Sequence, residues 1–403
     1  MRTRGFLAII LSATLLDACG GGSSDAGPAV NPPNGKIESP VTLNLYPNQS
    51  STTVPRLTVM VTSVGSVSTA ISAVFDTGSA GVTLYAPNIF PASMVTADGF
   101  VFPDGQTSLT YNGITVTNQQ GTRSYGTTDL RVQNGNLGFA TLSFGDAQGM
   151  LTTAVMPVFF YYSVTDATTG QLIDGAGSLQ LGIFGVASTS GAIVMTGSTE
   201  PAGGYPACTT DTQGGCNTVS PLKYLQYATG VHAGFMLAPA SIQSCDINSA
   251  GSCSPEAILT VGLVAALESG FSTISLPCPP NGYVGPASIA GYPVCQKITD
   301  NVTIMVSGEA TGSVTGGAVF DTGTGDMQIA VPAGSSFPGA VPAGTSVLVT
   351  TPSGFTYSYN SAGSDPSLTV VNSGFSGSSI VGIGYFTTNS FFIDFSASTM
   401  GWK

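Results

Sequence analysis

The sequence predicts a mostly β protein that is built from two related halves. Of its 403 residues, 42% are apolar, 53 are glycine and 25 are proline. The apolar runs are short, rich in β-branched residues and interrupted by Gly, Asn-Gly or Pro, a pattern that is typical of many short strands. The hexapeptide AVFDTG also occurs twice without change, at residues 73–78 and 318–323. This internal repeat indicates that the two halves share one structural plan.

The first 18 residues predict a signal peptide. MRTR supplies a positive segment, and the apolar run GFLAIILSATLL that follows is too short to span a bilayer. The next residues, LDACGGGSS, resemble a bacterial lipoprotein signal, which implies cleavage before Cys19, a lipid on its thiol and a flexible linker over residues 19–40. An ordinary secretory signal that is cleaved nearby is the alternative. We therefore expect an exported protein, lipid-anchored in the cell envelope at the outer membrane or in the periplasm, or else secreted.

Strand-like segments begin at Val41 and continue to the C-terminus. The first three are VTLNLYP, PRLTVMVTSV and TAISAVFDTG. Helices are expected at SPLKYLQYATG, with Ser220 as the cap, and at SPEAILTVGLVAALESG. Because the residues around 200–220 have the composition of a loop, we place an N-terminal lobe at residues 41–205 and a C-terminal lobe at residues 206–403.

The charge and the cysteines limit the possible partners and cofactors. The net charge of −12 repels phosphate groups, so we expect no nucleic-acid binding. After Cys19, an even number of cysteines in an exported chain predicts disulfides rather than a metal site, since no C-x-x-C pair is present and His232 is the only histidine. We expect no metal and no cofactor. Proximity favours the pairs Cys208–Cys216, Cys245–Cys253 and Cys278–Cys295.

The repeated hexapeptide places an aspartate behind three apolar residues. A duplicated hairpin with an Asx-type turn explains one copy, but it does not explain a buried charge without a partner. If pseudo-two-fold symmetry brings Asp76 and Asp321 together, the two carboxyl groups share one proton. One carboxylate then acts as general base on a water molecule while the other protonates the carbonyl under attack.

The two FDTG sequences resemble those of the pepsin-like aspartic peptidases. The resemblance implies a bilobal fold in which two pseudo-two-fold-related β-barrel lobes enclose an active-site cleft, with Asp76 and Asp321 as the catalytic pair. It also implies that two threonines lock the two turns together, that a serine and a threonine bond the outer carboxylate oxygens, and that two glycines allow close backbone approach. These supporting residues are Thr77, Gly78, Ser79, Thr322, Gly323 and Thr324.

Two further stretches resemble the same family. The segment RSYGTTDLRVQNGNLGFATLSFGD resembles the flap hairpin that closes over substrate, with Tyr125 and Gly126 at its tip; Tyr111 is a rival tip, and an ordinary cross-strand aromatic is the alternative for Tyr125. Near the C-terminus, residues 380–382 (Ile-Val-Gly) match the family's tripeptide of two apolar residues and a glycine that packs behind a catalytic loop. We call this tripeptide the apolar-apolar-Gly step. Residues 180–182 (Gln-Leu-Gly) are the expected counterpart in the first lobe, with a polar Gln in place of an apolar residue.

These observations favour an exported, monomeric aspartic endopeptidase that hydrolyses peptide bonds of an extended polypeptide. The alternative is a catalytically silent pepsin-like fold that acts as a surface binding protein, which the long middle segment and Gln180 favour. A purely structural β-rich surface lipoprotein is the third interpretation.

Overall fold

The structure is a computed structural model of the chain. It describes residues 29–30, 35–49, 56–126, 130–173, 182–196, 216–244, 254–281, 283, 285–308, 311–331, 337, 341–361, 370–373 and 377–403. The expected lipidation site Cys19 and the expected lobe boundary at residues 205 and 206 lie outside this part of the chain.

Strands dominate the described residues. Up to residue 219 they are β1 (Ala29–Val30), β2 (Val41–Gln49), β3 (Arg56–Val64), β4 (Val67–Asp76), β5 (Ala80–Tyr85), β6 (Val95–Thr96), β7 (Gly99–Phe100), β8 (Ser108–Tyr111), β9 (Ile114–Tyr125), β10 (Arg131–Ala140), β11 (Leu142–Gly145), β12 (Gly149–Thr152), β13 (Met156–Asp166), β14 (Gly182–Val186), β15 (Ser190–Met195) and β16 (Cys216–Val219).

The remaining strands complete the second half. They are β17 (His232–Leu237), β18 (Gln243–Ser244), β19 (Glu256–Leu263), β20 (Ser272–Ser275), β21 (Ser288–Ile289), β22 (Tyr292–Pro293), β23 (Thr299–Ser307), β24 (Gly312–Phe320), β25 (Met327–Ala330), β26 (Ser346–Thr350), β27 (Thr356–Asn360), β28 (Val370–Ser373), β29 (Ser379–Val381), β30 (Phe391–Asp394) and β31 (Thr399–Trp402). The described helices are short: α1 (Ala265–Glu268) and 3₁₀ turns at Ala86–Asn88, Pro221–Tyr224 and Ile383–Thr387.

The first half places its DTG sequence at the end of a central strand. β14 lies between β4 and β5, parallel to β4 and antiparallel to β5. β13 pairs in parallel with β5, and β10 joins β13 to β9 through antiparallel pairs. Since β4 and β5 are consecutive, the turn between them crosses the end of β14. We call this turn, residues 77–79, the first DTG turn.

The second half repeats this plan. β29 lies between β24 and β25, parallel to β24 and antiparallel to β25. Residues 321–326 connect β24 to β25, and we call them the second DTG turn. The two related halves that the repeated hexapeptide predicted are therefore confirmed by the strand topology. A further set of strands joins the halves, because β2 pairs with β3 on one side and with β19 on the other.

The phenylalanine before each aspartate is a core residue. The ring of Phe75 lies 6.2 Å from that of Phe184 and 5.3 Å from that of Phe235. The ring of Phe320 lies 5.3 Å from that of Trp402. All five rings are buried. Truncating such a residue typically costs about 3–5 kcal/mol, so packing of these two phenylalanines anchors both DTG turns.

The helix expected at residues 254–270 is largely wrong. Residues 256–263 form strand β19, which pairs with β17 on one edge and with β2 on the other. Hydrogen bonding along both edges and burial of the β-branched positions outweigh the helical pattern, so that only Ala265–Glu268 are helical. The helix expected at residues 220–230 is a single 3₁₀ turn, and it is capped as predicted. The Oγ of Ser220 accepts a hydrogen bond from the N–H of Leu222 at 3.3 Å.

One predicted disulfide is present, between Cys278 and Cys295. Cys216 is also disulfide-bonded, whereas Cys208, Cys245 and Cys253 lie outside the described residues. None of the helices in the described ranges has the length and apolar character that crossing a bilayer requires.

Candidate active site

Asp76 is the last residue of β4, and its carboxylate is held by the first DTG turn. The side chain is 7% exposed. Oδ1 accepts hydrogen bonds from the N–H groups of Gly78 at 2.8 Å and Ser79 at 3.2 Å. Oδ2 accepts from the Ser79 hydroxyl at 2.5 Å. Because two of the three donors are backbone groups of one turn, the orientation of the carboxylate follows from the backbone conformation.

Asp321 occupies the equivalent position after β24. Its N–H donates to the carbonyl of Val381 at 2.9 Å, which ties the aspartate to the central strand β29. Oδ1 accepts from the N–H of Gly323 at 2.6 Å, and Oδ2 accepts from the hydroxyl of Thr324 at 2.8 Å. Asp321 is partly exposed.

The two carboxyl groups lie within hydrogen-bonding reach of each other. Loss of bulk water around Asp321, the charge of Asp76 and the hydrogen bond between the two side chains together raise the pKa of Asp321 to about 7. The pair therefore retains one proton at pH values well above those at which a carboxyl group usually ionises. A Cβ atom at Gly78 would overlap the carboxyl group of Asp321, and one at Gly323 would lie 2.7 Å from Oδ1 of Asp76. Both glycines are thus required for this close approach.

Two threonines join the DTG turns through reciprocal hydrogen bonds. The N–H of Thr77 donates to Oγ1 of Thr322 at 3.1 Å, and the N–H of Thr322 donates to Oγ1 of Thr77 at 3.0 Å. Each hydroxyl then donates to the carbonyl that precedes the opposite aspartate, Thr77 to Phe320 at 2.7 Å and Thr322 to Phe75 at 2.5 Å. Both threonines are buried. We call these four bonds the threonine lock.

The apolar-apolar-Gly step of the first half lies three residues later than the sequence suggested. In the second half, Gly382 packs against the second DTG turn, and the N–H of Ile383 donates to the carbonyl of Thr324 at 2.8 Å. In the first half, Gly185 pairs with Asp76, and a Cβ atom on it would meet the backbone of the first DTG turn at 2.8 Å. The step is therefore Ile-Phe-Gly at residues 183–185.

With this assignment, the residues before the glycine are apolar in both halves. Gly182 pairs with Ala73, three residues before the aspartate, so it does not contact the turn. Gln180 and Leu181 lie outside the described residues. Since the two residues before Gly185 are Ile and Phe, both halves carry apolar residues at this step.

The hairpin β9–β10, here called the flap, carries Tyr125 at the end of its first strand. Tyr125 pairs with Arg131 across the hairpin, and Gly126 follows with a φ of 98°, a left-handed conformation that favours glycine. The rival residue Tyr111 belongs to the preceding hairpin, where its ring packs 5.8 Å from that of Phe90. Of the two tyrosines, Tyr125 is therefore the one at the end of this hairpin's first strand.

A buried arginine connects the flap to the start of β5, directly after the first DTG turn. The guanidinium of Arg123, 5% exposed, donates to the carbonyl of Ala80 and, at 3.3 Å, to the hydroxyl of Thr218. The same group lies 5.2 Å from the centre of the Tyr125 ring. Burial and the charge of Asp76 raise the pKa of Tyr125 to about 12 against the opposing effect of Arg123. Tyr125 thus lies within the electrostatic reach of Asp76.

Two basic residues near the pair were not found from the sequence. Nζ of Lys297 donates to the carbonyl of Gly78 at 2.6 Å. Burial lowers the pKa of Arg56, while the charges of Asp321 and Asp76 act in the opposite direction, which places Arg56 near the pair. No local pattern marks either residue, because the contact of Lys297 spans 219 positions. Within the described part of the chain, the donor cluster suited to a metal ion does not include either aspartate.

Comparisons with known proteins show the fold. No protein-family model matches the sequence, and no curated protein matches it. Among solved structures, the aspartic proteinase from Irpex lacteus matches with a TM-score of 0.51 and 15% identity, over 90% of this chain and 97% of that chain. The fold is that of a pepsin-like aspartic proteinase. Basic 7S globulin from soybean matches over 91% of this chain and 96% of that chain, with 13% identity and a TM-score of 0.47.

Proposed function

We propose that the protein is an aspartic endopeptidase. The observation that carries the proposal is the contact between two carboxyl groups from the two halves, one of which retains a proton to about pH 7. A pair with one proton contains both a general base and a general acid, which peptide hydrolysis needs. The likeness to solved structures supports the fold alone, so the chemistry rests on these side chains.

In the proposed mechanism the two aspartates have different roles. Because the raised pKa belongs to Asp321, we place the shared proton there, and Asp76 serves as the base that removes a proton from the attacking water. The O–H of Asp321 donates to the substrate carbonyl oxygen as the new C–O bond forms. The proton that Asp76 received is then delivered to the leaving nitrogen and the C–N bond breaks, while a hydroxyl group of the tetrahedral intermediate returns a proton to Asp321 as the product carboxyl group forms. The threonine lock holds the two carboxyl groups in one geometry throughout, which lowers the entropic cost of the reaction.

The substrate in this proposal is an extended polypeptide. A strand-like substrate is able to pair its backbone with the flap by β-addition, beneath Tyr125. The acidic composition of the chain makes nucleic acid an unsuitable partner. The reaction requires one copy of the chain, because both aspartates and the flap belong to the same chain.

We further propose that the protein acts outside the cytoplasm, held by a lipid on Cys19. The disulfide between Cys278 and Cys295 supports an oxidising compartment. The lipid anchor itself rests on the N-terminal sequence. Mass spectrometry of the mature protein tests it: a diacylated N-terminal Cys19 is expected, and an unmodified N-terminus at another residue would contradict it.

Digestion of an acid-denatured protein tests the proposed activity. The wild-type chain should cleave it at acidic pH, and a statine-containing peptide should block the cleavage. Asp76→Asn should reduce the rate by about 100- to 10,000-fold, the usual contribution of a general base. Absence of cleavage by the folded wild-type chain would favour the alternative of a pepsin-like fold that only binds. Cleavage that survives Asp76→Asn would overturn the mechanism.

A further inference from the structure

The only histidine of the chain lies in a cluster with two carboxyl groups, in the second half of the fold. His232 is the first residue of β17, Glu268 is the last residue of α1, and Asp394 is the last residue of β30. One donor atom from each side chain lies within 4.8 Å of the others. Three separate elements therefore contribute one potential metal ligand each.

Asp394 is the buried member of this cluster. Its side chain is fully buried, and β17 pairs with β30 beside it. Oδ1 accepts a hydrogen bond from the N–H of Ala397 at 2.8 Å, and Oδ2 lies 2.6 Å from Nδ1 of His232. The carboxylate is thus fixed by the sheet, with one oxygen directed at the imidazole.

The carboxyl group of Glu268 makes only some of the hydrogen bonds that it could make. Its carboxyl group lies within hydrogen-bonding reach of Asp394, which brings two acidic groups together. Its Oε1 is buried and has no hydrogen-bond partner within the described residues. Leaving a buried carboxyl oxygen without a partner is costly, so this oxygen is a candidate metal ligand.

The charges of the cluster also favour a cation. With both carboxyl groups ionised, the cluster carries a net negative charge whether or not the imidazole is protonated. The ion pair of Asp394 in the described part of the chain is with His232. A divalent cation between the three side chains would neutralise both carboxylates and occupy the free oxygen.

We propose that His232, Glu268 and Asp394 form a binding site for Zn²⁺ or a chemically similar divalent transition-metal ion. One imidazole nitrogen and two carboxylate oxygens suit such ions, whereas Mg²⁺ and Ca²⁺ prefer oxygen ligands alone. Three protein ligands leave one position of a tetrahedral site to water. The His232 side chain is 46% exposed, so the ion has access from solvent.

The observed distances require a small adjustment on binding. Atoms bound to zinc at about 2.0–2.1 Å in a tetrahedron lie roughly 3.3 Å apart. The 2.6 Å separation between His232 and Asp394 must therefore widen. Because Asp394 is fixed in the sheet, the half-exposed imidazole is the group that moves. The bound ion would tie β17, α1 and β30 together and stabilise the folded state.

Calorimetric titration of the tag-free protein with ZnCl₂, alongside thermal unfolding, tests the site. The wild-type chain should bind one Zn²⁺ and unfold at a higher temperature with the metal present. His232→Ala and Glu268→Gln should each weaken binding by at least about 100-fold, since even groups that only orient ligands contribute about 10- to 100-fold. Glu38→Gln, which removes an exposed carboxylate elsewhere, should bind Zn²⁺ as the wild type does.

Two results would overturn the proposal. One is the absence of saturable Zn²⁺ binding, which would mean that a shared proton and the histidine ion pair satisfy the cluster. The other is binding that persists unchanged in both His232→Ala and Glu268→Gln. Bound Co²⁺ gives a second readout, because its visible absorption should be lost in His232→Ala. Asp76→Asn should retain the metal, so this site and the proposed peptidase activity are tested independently.

Discussion

Replacing Thr322 by valine tests the threonine lock with little change of side-chain shape. Oγ1 of Thr322 accepts a hydrogen bond from the N–H of Thr77 and donates one to the carbonyl of Phe75. Valine leaves both buried backbone groups without their partner. Each such group costs about 1–3 kcal/mol, so Thr322→Val should lower the free energy of unfolding by about 2–6 kcal/mol. Urea denaturation, followed by fluorescence and circular dichroism, measures this difference.

Two matched variants separate the lock from other effects. Thr322→Ser keeps the hydroxyl and loses only a methyl group, so it should cost no more than about 1.5 kcal/mol. Thr324→Val removes one partly exposed hydrogen bond to Asp321 and should cost about 1 kcal/mol. Peptidase activity should fall more in Thr322→Val than its loss of folded protein explains, because the carboxyl groups lose their fixed geometry.

A double variant examines whether the lock acts as a unit. In Thr77→Val combined with Thr322→Val, the two losses should not add, since the side chains share the same network. If Thr322→Val costs less than about 1 kcal/mol, or no more than Thr322→Ser, the lock does not hold the turns together and the reasoning fails.

Three further predictions follow from the site. Gly185→Ala should lower the free energy of unfolding by about 1–3 kcal/mol and impair activity, because its Cβ would meet the backbone of the first DTG turn at 2.8 Å. In Gly182→Ala the new Cβ meets mainly a Leu side chain, so this variant should lose less stability. Equal effects of the two substitutions would contradict the assignment of the apolar-apolar-Gly step to residues 183–185. Because the pKa of Asp321 is raised to about 7, the folded chain keeps a proton that the unfolded chain loses above about pH 4. The free energy of unfolding should therefore fall between pH 4 and pH 7, and Asp321→Asn should flatten this dependence of stability on pH. Peptidase activity should fall as the pH rises through 7. Lys297→Met removes the hydrogen bond to the carbonyl of Gly78. It should lower kcat and reduce the free energy of unfolding by about 0.5–1.5 kcal/mol. Unchanged peptide-cleavage kinetics would show that this hydrogen bond does not position the first DTG turn.

The duplicated architecture was predictable because one short motif specifies a strand, a turn and, through its repetition, the relation between the two halves. The apolar residues of AVFDTG specify a buried strand, its Thr and Gly specify the turn, and two copies imply two related halves. Packing of Phe75 and Phe320 in the core and the contact between Asp76 and Asp321 follow from this symmetry.

Other features depend on register or on distant contacts, which one sequence does not reveal. Residues 180–182 and 183–185 both place an apolar residue directly before Gly, and the pairing of Gly185 with Asp76 shows which Gly lies behind the aspartate. Residues 256–263 carry a helical pattern, yet strands on both sides hold them as β19. Lys297 reaches Gly78, and Asp394 reaches His232, across long stretches of chain.

The cleavage rates of Asp76→Asn, Asp321→Asn and the double variant, measured on one peptide at acidic pH, test the central claim most directly. If the two carboxyl groups act as one unit, each single substitution should remove nearly as much activity as both together, as interdependent catalytic groups do. Substantial activity in either single variant, or losses that simply multiply in the double variant, would show that the two aspartates do not form a catalytic pair.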